Sequence, residues 1–142
     1  MKITKRFSWI MGHRLTFHIG GCQNLHGHNY EMKVSVETKK LEDNMVVDFN
    51  DIKMIFKHNV HDIFDHCFVV YKDDDIMTSF FKLQRNLKHV IVPFETTAEN
   101  LAKYFFDIFA KEISDITDNR CKVTRVKVYE TPTSEAVYYG EQ

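Results

Sequence analysis

Two segments of this chain alternate apolar and polar residues with a period of two, and this pattern constrains the fold most strongly. In the segment from His28 to Lys40, the apolar side chains are those of Tyr30, Met32, Val34 and Val36. The segment from Lys122 to Thr131 repeats the pattern, with one face made of Thr124, Val126, Val128 and Glu130. Because successive side chains of a strand point to opposite sides, both segments are predicted to be strands with one covered face.

Two segments with helical periodicity can supply the covering layer. One follows a cap at Asp48 or Asn50, and its apolar residues are Ile52, Ile55, Phe56, Val60 and Ile63. The other follows Thr96–Glu99, which fits a capping box, and its apolar stripe is Leu101, Phe105, Ile108, Phe109 and Ile113. With short strands predicted at 2–9 and 136–140, we expect one α+β domain over residues 1–142, in which helices cover one face of an antiparallel sheet.

The chain between the two predicted helices has weaker patterns. The segments Cys67–Tyr71 and Val90–Val92 are predicted to be extended, and Ile76–Leu87 fits a short helix. An acidic run at 72–75 fits a solvated loop and does not indicate a domain boundary.

Composition limits the partners and the compartment. The chain has 19 Lys and Arg against 20 Asp and Glu, so it lacks the basic excess expected for binding nucleic acid or an anionic membrane. No apolar run approaches the roughly 18 residues of a membrane span, and the amino-terminal MKITKRFSWIMGHRL lacks the hydrophobic segment of a signal peptide. The odd set of cysteines, Cys22, Cys67 and Cys121, is predicted to be free thiols, as in a cytoplasmic protein.

The segment CQNLHGHNY, residues 22–30, has the spacing of a metal site. If a strand begins here, His26 and His28 point to the same face, about 7 Å apart along the backbone. Gly27 between them leaves room for the chain to bend toward a metal. His13 can reach the same point if the first two strands form a hairpin. Three imidazoles suit zinc and leave a fourth position for water or substrate.

Spacing alone leaves a second arrangement open, in which Cys22 is a fourth ligand and closes a structural zinc site. The other histidines outside this motif, His18, His58, His61 and His89, are interpreted as ordinary surface or core residues. Cys67 and Cys121 are interpreted as buried apolar residues.

Six segments, taken in order, resemble the 6-pyruvoyl-tetrahydropterin synthase family, and most closely its bacterial 6-carboxy-5,6,7,8-tetrahydropterin synthase branch. They are FSWIMGHRL, CQNLHGHNY, VVDFNDIK, IFDHCF, TTAENLA and VYETPTSEAVYYGE, and together they extend along almost the whole chain. The resemblance implies the tunnelling fold, an antiparallel four-stranded sheet with two helices on one face. It also implies a homo-oligomer, commonly a hexamer in which sheets form a barrel, with active sites at subunit interfaces.

The resemblance also implies roles for the residues of the opening motif. His13, His26 and His28 match the zinc ligands of the family. Cys22 matches a catalytic cysteine that accepts a proton and does not bind the metal, which would make the metal site open.

Four further residues match functional positions of the family. Asp65 and His66, in IFDHCF, match a catalytic pair that works with the cysteine. Glu130, in VYET, matches a catalytic carboxylate that holds the guanidine-like edge of the pterin and belongs to the charge relay. Thr97 lies where the family places residues that contact the pterin.

The implied substrate is 7,8-dihydroneopterin triphosphate. Three residues separate Cys22 from His26, a spacing that resembles the 6-carboxy enzymes of queuosine biosynthesis, which release acetaldehyde and triphosphate. The alternatives are a 6-pyruvoyl-tetrahydropterin synthase and a non-catalytic module stabilised by zinc. The chain departs from the family pattern at 10–12 and 69–70, and its segment 72–95 is longer than in compact bacterial members.

Overall fold

The computed structural model describes residues 1–141, in which six strands form one mixed sheet. The strands are β1 (Lys2–His13), β2 (His26–Thr38), β3 (Cys67–Tyr71), β4 (His89–Val92), β5 (Cys121–Thr131) and β6 (Ser134–Tyr138). Their order across the sheet is β4-β3-β1-β2-β5-β6. Strands β1, β2, β5 and β6 form the predicted antiparallel four-stranded sheet. Strands β3 and β4 extend it to six by adding in parallel at the edge of β1.

Helices connect these strands at three places. They are α1 (Phe49–Phe56), α2 (Asp62–Phe64), α3 (Asp75–Leu83) and α4 (Ala98–Ile116). The predicted cap at Asp48 is confirmed, because its carboxylate accepts a hydrogen bond from the Asn50 N–H at 2.7 Å. The cap of α4 is Thr97, whose hydroxyl accepts from the Asn100 N–H at 3.3 Å.

A π-helical turn, Lys57–His61, joins α1 to α2 and changes which side chain faces the core. A π-turn holds more residues than an α-turn, so the helical phase shifts along the chain. As a result Phe64 is only 1% exposed, whereas Ile63 is 41% exposed. The prediction that Ile63 belongs to the apolar stripe was therefore wrong.

A β-bulge in β5 similarly corrects the predicted face of that strand. Ser35 pairs with Arg125 and Val36 pairs with Val123, so Thr124 is left without a partner opposite. The extra residue reverses the alternation on the amino-terminal side of the bulge, and Val123 is buried in place of Thr124.

The core lies between the sheet and the helices α1 and α4. The Trp9 ring, on β1, stacks on Tyr30 of β2 at 5.1 Å and meets the edge of Phe105 of α4 at 5.6 Å. The opposite face of the sheet carries charged pairs such as Lys127 with Glu135.

The predicted packing of two helices on one face is confirmed for α1 and α4. The short helix α3 packs instead against Phe68 and Val70 of β3, which point to the opposite face of the sheet. Within residues 1–141, no helix has the length and apolarity needed to cross a membrane.

Candidate metal and catalytic site

The β1–β2 hairpin brings three histidines to the carboxyl end of β1, on the face that the helices cover. His13 is directly opposite His26 in the ladder, and Met11 is opposite His28. One ring nitrogen of each histidine lies within 4.8 Å of the other two. The predicted convergence of His13, His26 and His28 is therefore present in the structure.

Hydrogen bonds to backbone carbonyls orient two of the rings. The Nδ1 atom of His13 donates to the Thr96 carbonyl oxygen at 2.8 Å, and that of His26 donates to the Asn24 carbonyl oxygen at 2.7 Å. Because a carbonyl oxygen can only accept, the proton lies on Nδ1 and the Nε2 lone pair is free. The Nε2 atoms of His13 and His28 are buried without a hydrogen-bond partner. Buried ring nitrogens that converge without a partner fit a bound cation.

Burial favours the uncharged form of the His13 and His28 imidazoles. It lowers the pKa of His13 to about 4, against the opposing effect of the Thr96 hydrogen bond. Burial, together with the neighbouring His26, also lowers the pKa of His28. Neutral imidazole is the form that binds a metal, so the cluster is prepared for one at neutral pH.

Glu130, half-buried on β5, faces the histidine cluster. Its carboxylate oxygens lie 3.8 Å from Nε2 of His13 and 3.7 Å from Nε2 of His28. Burial raises the pKa of Glu130, and the nearby charge of Glu99 raises it further. A cavity of about 320 Å³ opens beside this carboxylate, and Thr97 and Glu99 also line it. The two residues predicted to bind substrate, Glu130 and Thr97, thus share one cavity.

Cys22 lies on a short 3₁₀ turn, Gly21–Gln23, next to the strand end that carries His13. Its carbonyl oxygen accepts a hydrogen bond from the Leu15 N–H at 2.8 Å, and its side chain is partly exposed. Among the described residues, the group whose ligand atoms converge within 4.8 Å consists of the three histidines and does not include Cys22. This geometry favours an open metal site over the closed four-ligand alternative.

Asp65 and His66 lie between α2 and β3, on the side of β1 that faces β3 and not β2. The Asp65 carboxylate accepts from the Ile10 N–H at 3.0 Å and from Nδ1 of His66 at 2.7 Å. Partial burial opposes ionisation of Asp65, but these two donors hold its pKa below the usual value. The His66 side chain is 72% exposed, and its backbone has a left-handed φ of 58°. Within residues 1–141, no hydrogen bond or ion pair joins this pair to Cys22 or to the three histidines.

Two residues near the site were not identified from the sequence. Thr96 was placed in a capping box, but the helix starts one residue later, and the freed Thr96 hydroxyl lies 3.2 Å from Nδ1 of His13. His61 was interpreted as an ordinary residue, yet its Nε2 atom lies 3.4 Å from the Asp65 carboxylate. His61 and Asp65 are four residues apart at the end of a helical segment, so that spacing was a usable signal. No local signal indicates the contact of Thr96 with a residue 83 positions away.

Comparison with known proteins places this chain in a family. The profile of the 6-pyruvoyl tetrahydropterin synthase family matches residues 2–141. In an alignment 145 residues long, the chain is 37% identical to 6-carboxy-5,6,7,8-tetrahydropterin synthase of Haemophilus influenzae. The alignment covers 96% of this chain and 97% of the relative. In an alignment 160 residues long, it is 33% identical to the Aquifex aeolicus protein of the same name. That alignment covers 99% of this chain and 98% of the relative.

Solved structures show the same fold. An uncharacterized protein from Wolinella succinogenes superposes with a TM-score of 0.87 at 24% identity, covering 99% of this chain and 98% of the other. The 6-pyruvoyl tetrahydropterin synthase of Caenorhabditis elegans superposes with a TM-score of 0.70 at 26% identity, covering 99% and 96%. The sheet with α1 and α4 on one face is therefore the predicted tunnelling fold, and the chain belongs to the 6-pyruvoyl tetrahydropterin synthase family.

Proposed function

We propose that this protein is a zinc-dependent lyase that converts 7,8-dihydroneopterin triphosphate to 6-carboxy-5,6,7,8-tetrahydropterin. Acetaldehyde and triphosphate are the other products, and the pathway is the cytoplasmic synthesis of queuosine and related 7-deazapurines. The single observation that carries the proposal is the cluster of three histidines beside the cavity of Glu130, in which the Nε2 atoms of His13 and His28 are buried without a partner. The names of the curated relatives support the choice of product.

Zinc is the metal proposed for His13, His26 and His28. All three donors are imidazole nitrogens, a set that zinc binds in open sites with three protein ligands. When bound, the metal would act as a Lewis acid that stabilises negative charge on side-chain oxygens of the substrate.

Cys22 is the proposed base that accepts a proton from carbon. Its thiol is partly exposed, on a turn that the Leu15 N–H ties to the chain two residues beyond His13. Because Cys22 lies outside the ligand set, the sulfur of its thiolate is not bound to the metal and can accept a proton.

His66 is the proposed proton carrier, and Asp65 is proposed to fix its tautomer. The carboxylate holds the proton on Nδ1 of His66, so the exposed Nε2 atom is available to accept or release another proton. Since no described contact links this pair to Cys22 in the same chain, we propose that it serves the site of a neighbouring subunit. The assembly proposed is a homohexamer with active sites at the subunit interfaces.

Glu130 and Thr97 are the proposed pterin-binding residues. The two carboxylate oxygens of Glu130 match two adjacent N–H donors on the edge of a pterin, a bidentate contact that fixes orientation. A half-buried carboxylate also needs a donor to compensate for lost hydration. Thr97 lines the same cavity at the start of α4.

Product analysis tests this function. Zinc-loaded protein is incubated with 7,8-dihydroneopterin triphosphate, the products are identified by mass spectrometry, and Cys22→Ala is assayed in parallel with its zinc content measured. We expect the 6-carboxy product and acetaldehyde from the native protein, and no product from a variant that retains zinc. A pyruvoyl product would assign the 6-pyruvoyl-tetrahydropterin synthase activity instead. Absence of turnover, together with zinc loss in Cys22→Ala, would indicate a non-catalytic module.

A further inference from the structure

The segment 14–25, which joins β1 to β2 and carries Cys22, contains no fully buried residue. We call this segment the Cys22 loop. Its apolar side chains Phe17, Ile19 and Leu25 are all exposed. Because so little apolar surface packs the loop against the rest of the chain, its position depends on polar contacts.

Hydrogen bonds within the Cys22 loop fix its internal shape. The Leu15 N–H donates to the Cys22 carbonyl oxygen at 2.8 Å, and the Asn24 N–H donates to the Gly21 carbonyl oxygen at 3.0 Å. At the end of the loop, the Asn24 carbonyl oxygen accepts from Nδ1 of His26 at 2.7 Å. These bonds do not determine where the body of the loop lies relative to the other elements of the fold.

The side chain of Glu95, in the segment between β4 and α4, holds the loop from outside. The Thr16 hydroxyl donates to one carboxylate oxygen of Glu95, and the Thr16 N–H donates to the other at 3.4 Å. Among the described residues, these are the hydrogen bonds that join residues 15–23 to the rest of the chain. The position of the loop therefore depends on the contact between Thr16 and Glu95.

The environment of Glu95 strengthens this contact. The side chain is partly buried, and burial raises its pKa, whereas the Thr16 N–H lowers it. A carboxylate that has lost hydration requires hydrogen-bond donors, and Thr16 supplies them from its N–H and its hydroxyl. Hydrogen bonds to an ionised acceptor are roughly twice as strong as those between neutral groups. Removing either partner should therefore release the loop.

We propose that Glu95 is a positioning residue, which holds the Cys22 loop through Thr16 and so sets the position of the Cys22 thiol. The two neighbours of Thr16 in sequence line the cavity of Glu130, so the same contact shapes a wall of that cavity. The inference deepens the proposed function, because it rests on Cys22 as the base.

Hydrogen–deuterium exchange of the zinc-loaded full chain, measured by mass spectrometry, tests whether Glu95 holds the loop. The variants are Thr16→Val, Glu95→Ala and their combination. We expect the peptide over residues 14–25 to exchange about tenfold faster in each single variant, the effect of losing a hydrogen bond to a charged group. The combination should match Glu95→Ala alone, because both changes disrupt the same contact.

Two further variants serve as controls. Thr16→Ser keeps the hydroxyl, so its loop should exchange at the native rate. Asp107→Asn removes one negative charge from an exposed side chain on α4, as Glu95→Ala removes one from the contact, and it should also leave the exchange of the loop unchanged. Peptides from β2 and α4 should exchange as in the native chain in every variant, which checks that the fold is intact.

Alkylation of Cys22 by iodoacetamide reports the position of the thiol without requiring turnover. Cys67 and Cys121 are buried, so their alkylation would indicate unfolding. We expect Cys22 to react several times faster in Thr16→Val and Glu95→Ala, with the two buried cysteines unmodified. In the pterin assay, both variants should retain zinc and lose about tenfold or more in kcat, because a small displacement of a catalytic group slows the reaction strongly.

Two results would overturn the proposal. Native exchange of the loop in Thr16→Val and Glu95→Ala would show that another contact holds it. Faster exchange with either the alkylation rate or kcat at its native value would show that the loop moves without displacing the base. If the native chain makes no pterin product while exchange and alkylation respond as expected, the proposed function fails and the positioning by Glu95 is retained.

Discussion

The Nδ1 atom of His13 donates a hydrogen bond to the carbonyl oxygen of Thr96 at 2.8 Å, although 83 residues separate the two in sequence. This contact joins the end of β1 to the residue that precedes the cap of α4. It is reinforced by the Thr96 hydroxyl, which donates to the Arg14 carbonyl oxygen at 3.3 Å. The ring of His13, one of the proposed metal ligands, is therefore oriented before any ion arrives, because the residue that precedes the cap of α4 holds its Nδ1 atom.

Replacing Thr96 with Ala should weaken zinc binding about tenfold, at the lower end of the range for groups that orient a ligand. The backbone carbonyl would remain, but the hydroxyl that lies 3.2 Å from the same nitrogen would be lost. Competition with a chromophoric zinc chelator measures this affinity.

Thr97→Ala provides the matched control for that measurement. The Thr97 hydroxyl caps α4 and makes no hydrogen bond to the described histidines. Loss of a cap costs about 1 kcal/mol of stability, so this variant should melt at a lower temperature with its zinc affinity unchanged. Equal zinc affinities for the two variants would show that the Thr96 hydroxyl does not orient His13.

The metal-free protein should lose stability as the pH falls from about 6.5 to about 4. Burial lowers the pKa of His13 from 6.5 to about 4, so the unfolded chain binds a proton in this range that the folded chain does not. The free energy of unfolding then rises with pH across this window, by about 3 kcal/mol in total from this one group. The lowered pKa of His28 acts in the same direction.

Urea unfolding of the metal-free protein at pH 7 and at pH 4.5 measures this dependence. His13→Gln is the comparison, since it removes the titrating group, and the difference between the two proteins isolates its contribution. The pH dependence should be clearly steeper in the native chain, and the same dependence in both proteins would contradict the assignment.

Much of this architecture could be predicted from the sequence because its causes are local. The alternation from Tyr30 to Val36 reflects the geometry of one strand, and the His26–Gly27–His28 spacing places both rings on one face of it. The cap at Asp48 likewise depends only on its neighbours along the chain.

The errors arose where the backbone departs from a regular period or where contacts are remote. A π-turn moved Phe64 into the place predicted for Ile63, and a β-bulge moved Val123 into the place predicted for Thr124. The residue types of these segments do not mark where the extra residue lies. The apolar periodicity therefore does not reveal either irregularity. The parallel pairing of β3 with β1 also involves residues more than fifty positions apart, which no local pattern specifies.

Replacing Asp74 with Ala should destabilise the fold by about 3 kcal/mol, a typical cost for removing one partner of a buried ion pair. Asp74 is buried, caps α3 through the Met77 N–H at 3.2 Å, and lies 3.5 Å from Nε of the largely buried Arg14. The variant would leave a guanidinium in the interior without its carboxylate. Urea unfolding of the zinc-loaded protein measures the loss.

The control is Lys111→Ala, which removes an ion pair between two exposed side chains on α4. It should leave the free energy of unfolding nearly unchanged, because exposed pairs contribute little. A similarly small effect of Asp74→Ala would mean that the ion pair with Arg14 does not stabilise the fold.

X-ray absorption spectroscopy of the zinc-loaded protein tests most directly the central claim, that three histidines form an open site and Cys22 remains outside it. A histidine-bound zinc has nitrogen or oxygen neighbours at about 2.0–2.1 Å, whereas a thiolate adds sulfur at about 2.3 Å. We predict only the shorter shell, with the same spectrum from Cys22→Ala. A sulfur shell that disappears in Cys22→Ala would show that the cysteine is a ligand, and would contradict its role as the base.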